Sequence, residues 1–452
     1  MKKLLLLSFV AFGFATAQAQ QVFWEEKSTG FSSVSTTQSH ISWVNANVVW
    51  TSASDGSGAA ATFRNWGRSI DGGNTWTNGV INLGAGSTDL GIGSIQGISA
   101  TTAYVAAFPN TATAQGGIFK TTDGGVTWVK QTTASFNTPD SFANLVYFWD
   151  ENNGFCQGDP ANGYFELYTT TNGGTNWTRV PQSSIAPQLD GEYGYVHNFD
   201  TFGDKIWFGT NKGRIYQSND RGLTWTTVAQ SPIADFGSAA ISGNYSFKNA
   251  SEGLLISSNF EQFRTTDGGV TWAAEFPDGV RNFNVDFVPG TDNVVVTTGE
   301  DLLDGLRGSS YSTDGGVTWI DINAIDVDPV DGGGALAFYD PTHGLASGFT
   351  ASATSGGIWK WIADASNLST SNVAGTKVAG VSPNPTTGIL NVDGKNITNV
   401  TVFDVLGKQV LNTNYNTLNN VTLNLSALNS GIYMVKVANN AGAVSTVKVV
   451  KQ

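Results

Sequence analysis

The stretch that decides the fold is Thr121-Thr-Asp123-Gly-Gly-Val-Thr-Trp128. An Asp or Asn at the head of a tight turn accepts hydrogen bonds from the amides that follow it. The two glycines permit positive φ where the chain reverses, and the tryptophan opens the next strand. The same pattern recurs around Asp71 and Trp76, Asn172 and Trp177, Asp220 and Trp225, Asp267 and Trp272, and Asp314 and Trp319. From Asp71 the steps are 52, 49, 48, 47 and 47 residues, a period that fits one four-stranded blade per repeat.

Outward from each turn, short apolar runs of strand character precede it, such as Leu145–Trp149 followed by Gly154–Gln157. After the sixth turn come Ala335–Phe338, Gly344–Ser347 and Gly357–Trp361, a set that lacks both the turn and an outer strand. The segment Val22-Phe-Trp24-Glu-Glu-Lys resembles Val126-Thr-Trp128-Val-Lys-Gln, so the N-terminal segment is expected to supply the missing strand. The fold expected is all-β: a seven-bladed β-propeller over 20–365, a linker over 366–377, and a small C-terminal β-sandwich over 378–452. Closure of this kind hides sheet edges that would otherwise invite pairing with other chains.

The repeat resembles the Asp-box, or BNR, repeat of sialidases, sortilin-type ectodomains and photosystem II stability-factor-like proteins. The resemblance implies a structural turn and gives its aspartates no catalytic part. Sialidases need an arginine triad and a tyrosine nucleophile. Here Arg68, Arg221 and Arg264 fall in or beside the boxes, so sialidase activity is not expected.

The ends speak for the route. Lys2 and Lys3 precede an apolar run over Leu4–Phe14 and the small-residue site Ala17-Gln-Ala19, the pattern of a signal peptide over 1–19. At the other end, Ser382-Pro-Asn-Pro-Thr-Thr-Gly388, Val400-Thr-Val-Phe-Asp404-Val-Leu-Gly407-Lys and Leu425-Ser-Ala-Leu428-Asn-Ser-Gly431-Ile-Tyr433 stand in order among alternating apolar residues. They resemble the type A sorting domain of the Bacteroidetes type IX secretion system. That resemblance implies the secretion machinery as a partner, and a secreted or outer-membrane-surface location.

Charge supports the same division. Residues 20–372 carry 15 Lys and Arg against 34 Asp and Glu, whereas residues 373–452 carry six Lys against Asp393 and Asp404. An acidic body argues against nucleic acid or an anionic membrane as partner, and no stretch is long and apolar enough to suggest a membrane span. One cysteine, Cys156, between strand-like residues, excludes an intramolecular disulfide and is expected to be buried.

A binding site is expected on the loops of the face opposite the boxes. The segment Asp190-Gly-Glu192-Tyr193-Gly-Tyr195-Val-His197, with Asp159, combines carboxylates, aromatic rings and one of three histidines, which suits a protein or glycan ligand. No metal or other cofactor is expected. The loop Asp321–Asp331 offers oxygen ligands that calcium could use, but lacks the spacing of a calcium loop. No complete catalytic set is present, so a binding module is the first reading. A glycoside hydrolase working through paired loop carboxylates is the alternative.

Overall fold

The computed structural model describes residues 22–57, 63–111, 113–300, 307–322, 334–368, 379–404, 408–440 and 444–452. The proposed signal peptide and the linker from 369 lie outside these residues, as do most of the acids of the loop at 321–331.

Seven four-stranded antiparallel sheets follow one another along the chain, and together they are the blades of a propeller. We number the blades from the one whose inner strand is Thr36–Trp43. The inner strands of blades 2 to 7 are Leu90–Gly97, Ala143–Phe148, Gly194–Phe202, Gly243–Phe247, Asn284–Phe287 and Leu336–Asp340. Blade 7 takes its outer strand from the other end of the chain. Trp24–Ser28 pairs antiparallel with Ser355–Trp361, Trp24 opposite Trp361 and Ser28 opposite Gly357. Trp24 is buried against Trp361 and Phe338, and its indole N–H donates to Ser309 Oγ of blade 6 at 3.0 Å. One side chain thus ties the closing strand to two blades.

The boxes join the third strand of blades 1 to 6 to the fourth. Asp123 accepts from the Thr127 amide at 2.9 Å, the Thr127 hydroxyl at 2.6 Å and the Thr121 hydroxyl at 2.9 Å. The bond from Thr127 leads the causes that hold its carboxyl down at about 2. Asp71, Asp220, Asp267 and Asp314 repeat the pattern, and Asn172 keeps the backbone part of it. The indoles of Trp76, Trp128, Trp225 and Trp272 fold back onto the second box glycine's carbonyl, while Trp319 donates to Gln262.

In four of the boxes the carbonyl of the first glycine points at the preceding blade, which supplies a donor to it. Arg68 reaches Gly124 at 3.2 Å, Lys120 and Tyr104 reach Gly173 at 3.0 and 2.7 Å, Trp207 reaches Gly268 at 2.9 Å, and Arg264 reaches Gly315 at 2.8 Å. The turns are therefore fasteners between blades as well as connections within them. Cys156 is buried in the apolar contact between blades 2 and 3.

The C-terminal unit is a separate five-stranded antiparallel sheet folded on itself as a small sandwich. Its long strand Ile389–Asp404 breaks register between Asp393 and Ile397, so Leu390 and Val392 on one arm share a core with Val400 and Val402 on the other. Val421, Leu423, Val435, Val437 and Val449 complete that core.

Candidate functional site

The inner strands surround a channel holding a cavity of about 1140 Å³. Each inner strand runs towards the box face, because the connection from first to second strand and the box turn leave a blade at the same end. The cavity extends from Ser242, Asn282 and Gly334 at one end to Trp43, Trp149, Asp150, Glu151 and Tyr339 at the box end.

A ring of hydrogen bonds near the box end passes from blade to blade. Ser42 Oγ accepts from the Gly97 amide at 2.9 Å, Ser94 Oγ from Val146 at 3.0 Å, and Ser246 Oγ from Phe287 at 3.1 Å. The Thr201 hydroxyl donates to Tyr147 Oη at 3.2 Å, and the Trp43 indole to the Ala337 carbonyl at 3.1 Å. Between blades 4 and 5 and between blades 6 and 7, the acceptor is a carboxyl instead. Asp200 Oδ2 accepts from Phe247 N at 2.5 Å, and Asp286 Oδ2 from Phe338 N at 2.7 Å. Burial pushes Asp200 up to about 7 and Asp286 well above the carboxylate range, and the charge of Asp200 adds to the rise at Asp286.

Higher in the channel, His40 of blade 1 meets His197 of blade 4, with Nδ1 atoms 3.2 Å apart and rings stacked at 5.1 Å. One imidazole donates and the other accepts, which requires the accepting ring to be neutral. Burial lowers His40 to about 4 and holds His197 well below its ordinary value, the latter also feeling His40. A register shift between Gly194 and Phe199 puts His197 at φ +62 and turns it into the channel.

At the box end stand four partly exposed rings. Trp43 and Tyr339 lie 6.2 Å apart on blades 1 and 7, and Tyr147 and Trp149 meet edge-to-face at 5.1 Å on blade 3. Asp150 and Glu151 are exposed beside them, and Arg221 holds Asp150 at 3.1 Å.

The residues singled out from sequence are dispersed. Of Asp159, Asp190, Glu192, Tyr193, Tyr195 and His197, only His197 lines the cavity. Glu192 is buried in an ion pair with Arg214 at 2.7 Å and also accepts from Thr210, Tyr216 and the Leu189 amide. It anchors its own loop. Tyr195 donates to Asp235 at 2.5 Å, and Tyr193 packs edge-to-face on Tyr195 with 42% of its surface exposed. Asp159 accepts from Asn144 at 2.7 Å and Gly194 N at 3.0 Å, joining blades 3 and 4, and burial raises it to about 6. In the proposed calcium loop, Asp321 pairs with buried Arg281 at 2.9 Å, and Asp326, Asp328 and Asp331 lie outside the described residues. Among the described residues no group of three or more His, Cys, Asp or Glu could hold a metal.

Sequence reasoning missed Trp43, Trp149, Tyr339, Asp200 and Asp286. Their one signal is position, at or near the end of each blade's first strand, and it emerges only when the repeats are aligned by blade.

Fold and tail together define a class: a BNR-type β-propeller that the type IX secretion system sorts for secretion. Residues 380–452 match the secretion system C-terminal sorting domain, and residues 111–242 match the photosynthesis system II assembly factor YCF48 family, a BNR-type propeller. Among solved structures, YCF48 from Cyanidioschyzon merolae superposes with a TM-score of 0.50 at 15% identity, over 75% of this chain and 99% of that one, a likeness of fold. The GH74 enzyme of Niastella koreensis is similar at 14% identity over 89% of this chain and 66% of that one, with a TM-score of 0.26. Xyloglucanase Xgh74A of Acetivibrio thermocellus is 22% identical over 206 residues, 38% of this chain. The chain spans about a quarter of the length of the curated relatives it matches, 24%. Among the described residues no helix is long and apolar enough to cross a membrane.

Proposed function

We propose that this secreted propeller is a glycan-binding module whose site is the channel mouth on the box face. The observation that carries the reading is the set of four rings, Trp43, Tyr147, Trp149 and Tyr339, around a cavity large enough for sugar residues. Aromatic faces cover the C–H faces of sugar rings, and carboxyls such as Asp150 and Glu151 accept from their hydroxyls. In this reading the signal peptide is removed at Ala19, the sorting domain directs the propeller across the outer membrane, and the propeller acts outside the cell, attached or released. Binding uses no metal, so chelation with EDTA leaves it unchanged.

The test is a glycan array on the purified chain, repeated with Trp149→Ala. Retention of saccharides that the variant loses supports the module. An array that stays blank, or binding that ignores the substitution, sinks it.

A second reading has its own observation. Asp200 and Asp286 sit in the same cavity with raised proton affinities, one a candidate acid and the other a candidate base, and a xyloglucanase is among the relatives. Release of reducing ends from xyloglucan that is abolished by Asp286→Ser would favour a hydrolase.

A further inference from the structure

We propose that the ligand of the channel mouth carries a protonated amine, as in a polysaccharide of deacetylated amino sugars, and that Asp200 and Asp286 are its counter-charges. This inference rests on the glycan reading of the same site.

The first support is a comparison of the blades with one another. The hydrogen-bond ring needs one acceptor per junction, and Ser42, Ser94 and Ser246 provide it with a neutral hydroxyl. Asp200 and Asp286 do the same job with a group that is costly to desolvate. Holding the blades together does not explain two carboxyls where serine suffices elsewhere. Each spends one oxygen on the neighbouring blade. The other accepts within its own strand in Asp200, from Thr201 N at 2.7 Å, and in Asp286 from Ser246 Oγ of blade 5 at 3.5 Å. Every carboxylate oxygen has a second lone pair, so both groups keep acceptor capacity for a ligand.

The second support is the sign of the whole cavity. Its lining includes Asp150, Glu151, Asp200 and Asp286 and no lysine or arginine among the described residues; Arg221, outside the lining, pairs with Asp150 at 3.1 Å and leaves the other three acids uncountered by it. Ring faces carry negative quadrupole density, so Trp43, Tyr147, Trp149 and Tyr339 favour a cation over an anion as well as stacking on sugar. The body of the chain, with 34 acids against 15 bases over 20–372, adds long-range attraction of the same sign.

The chemistry of entry follows. In the empty channel, burial raises the proton affinity of both carboxyls, to about 7 in Asp200, so each holds its proton to higher pH than an ordinary carboxyl. The titratable groups facing them are Tyr147 from blade 3 and Tyr245 from blade 5, both neutral phenols held above their ordinary range by burial. His40 and His197 lie higher in the channel, with Asp150 and Glu151 at the mouth. An ammonium that takes the place of water beside the carboxyls favours their ionised form. Binding therefore releases protons to solvent. Affinity rises as acid conditions are relieved, and falls again once the amine itself loses its proton.

The test uses the full chain and three oligosaccharides of equal length: β-1,4-linked glucosamine, its N-acetylated form, and β-1,4-linked glucose. Calorimetry in two buffers of different ionisation enthalpy reads affinity and proton release together. The expected result is a preference for the free amine of about tenfold or more, proton release on binding, and loss of the preference in Asp200→Ser and Asp286→Ser. Serine is the chosen replacement because three other junctions already use it, and a thermal melt checks that each variant folds. Equal affinity for the free and acetylated amines overturns the inference while leaving a glycan site standing. Absence of binding to all three counts against the glycan reading itself. Amine binding without proton release in the unaltered chain also overturns the inference, whatever the variants do.

Discussion

His197 occupies left-handed backbone space at a break in register and pairs with His40 across the channel. The pair makes a prediction with a definite sign. Burial lowers the folded-state value of His40 from 6.5 to about 4, so the folded chain resists a proton that the unfolded chain accepts. Stability contributed by the neutral pair is intact above about 6.5 and is lost as pH falls towards 4. The His40→Asn variant, neutral throughout, should lose less melting temperature between pH 7 and pH 4.5 than the parent. Equal losses would refute it. Asp200 works in the opposite sense. Its folded value, raised to about 7, makes the carboxyl a stabilising group only while it holds a proton, and that contribution disappears as pH rises from about 4 through 7. Asp200→Ser should therefore gain in melting temperature relative to the parent on going from pH 5 to pH 8. A constant difference between the two proteins would show that the carboxyl is not desolvated.

Among the elements, the box turn shows why some of this molecule is legible in its sequence and some is not. Asp123, the two glycines after it and Trp128 act on one another within six residues, so the chemistry of the turn is written in consecutive letters. Period and strand count followed from it, and the seven sheets are the result. The channel is different. Trp43, Trp149 and Tyr339 look like ordinary strand aromatics, because which of them reaches the axis depends on register and on where each inner strand ends. Glu192 and Tyr195 drew attention as an acid and aromatic cluster, yet Arg214 and Asp235, brought in by folding, occupy their polar atoms. Local composition cannot reveal a partner 22 or 40 residues away. The glycines divide by the same logic. Gly125 has φ +93, and a Cβ there would lie 2.5 Å from the Trp66 ring of the preceding blade. Gly163 has φ +88 with open space around it. Gly163→Ala should cost about 1–2 kcal/mol from backbone conformation alone, and Gly125→Ala distinctly more, as read from denaturant midpoints. If the two costs match, the box is not packed between blades as described.

For the whole molecule, stability depends on closing the circle. Removing the strand Trp24–Ser28 strips five paired residues from blade 7, removes the Trp24–Trp361 contact and exposes the edge of Ser355–Trp361. The shortened chain should melt at a clearly lower temperature, in one cooperative transition that includes all blades, and should self-associate through the uncovered edge. An unaltered melting temperature would reject the closure. The C-terminal sandwich has its own core and should keep its structure in that variant.

The pairing of Trp24 with Trp361 also sets an order of events in time. A chain that emerges from its N-terminus first presents the closing strand at the outset and its partner more than 330 residues later. Blades 1 to 6 can each form from neighbouring strands, but the ring cannot lock until the last blade is complete, and only then does the sorting domain follow. Loop closure of this length is slow to find and strongly cooperative once found. Arrival of the sorting domain therefore reports that every strand of the propeller has already been made, and an incomplete chain lacks both the lock and the address.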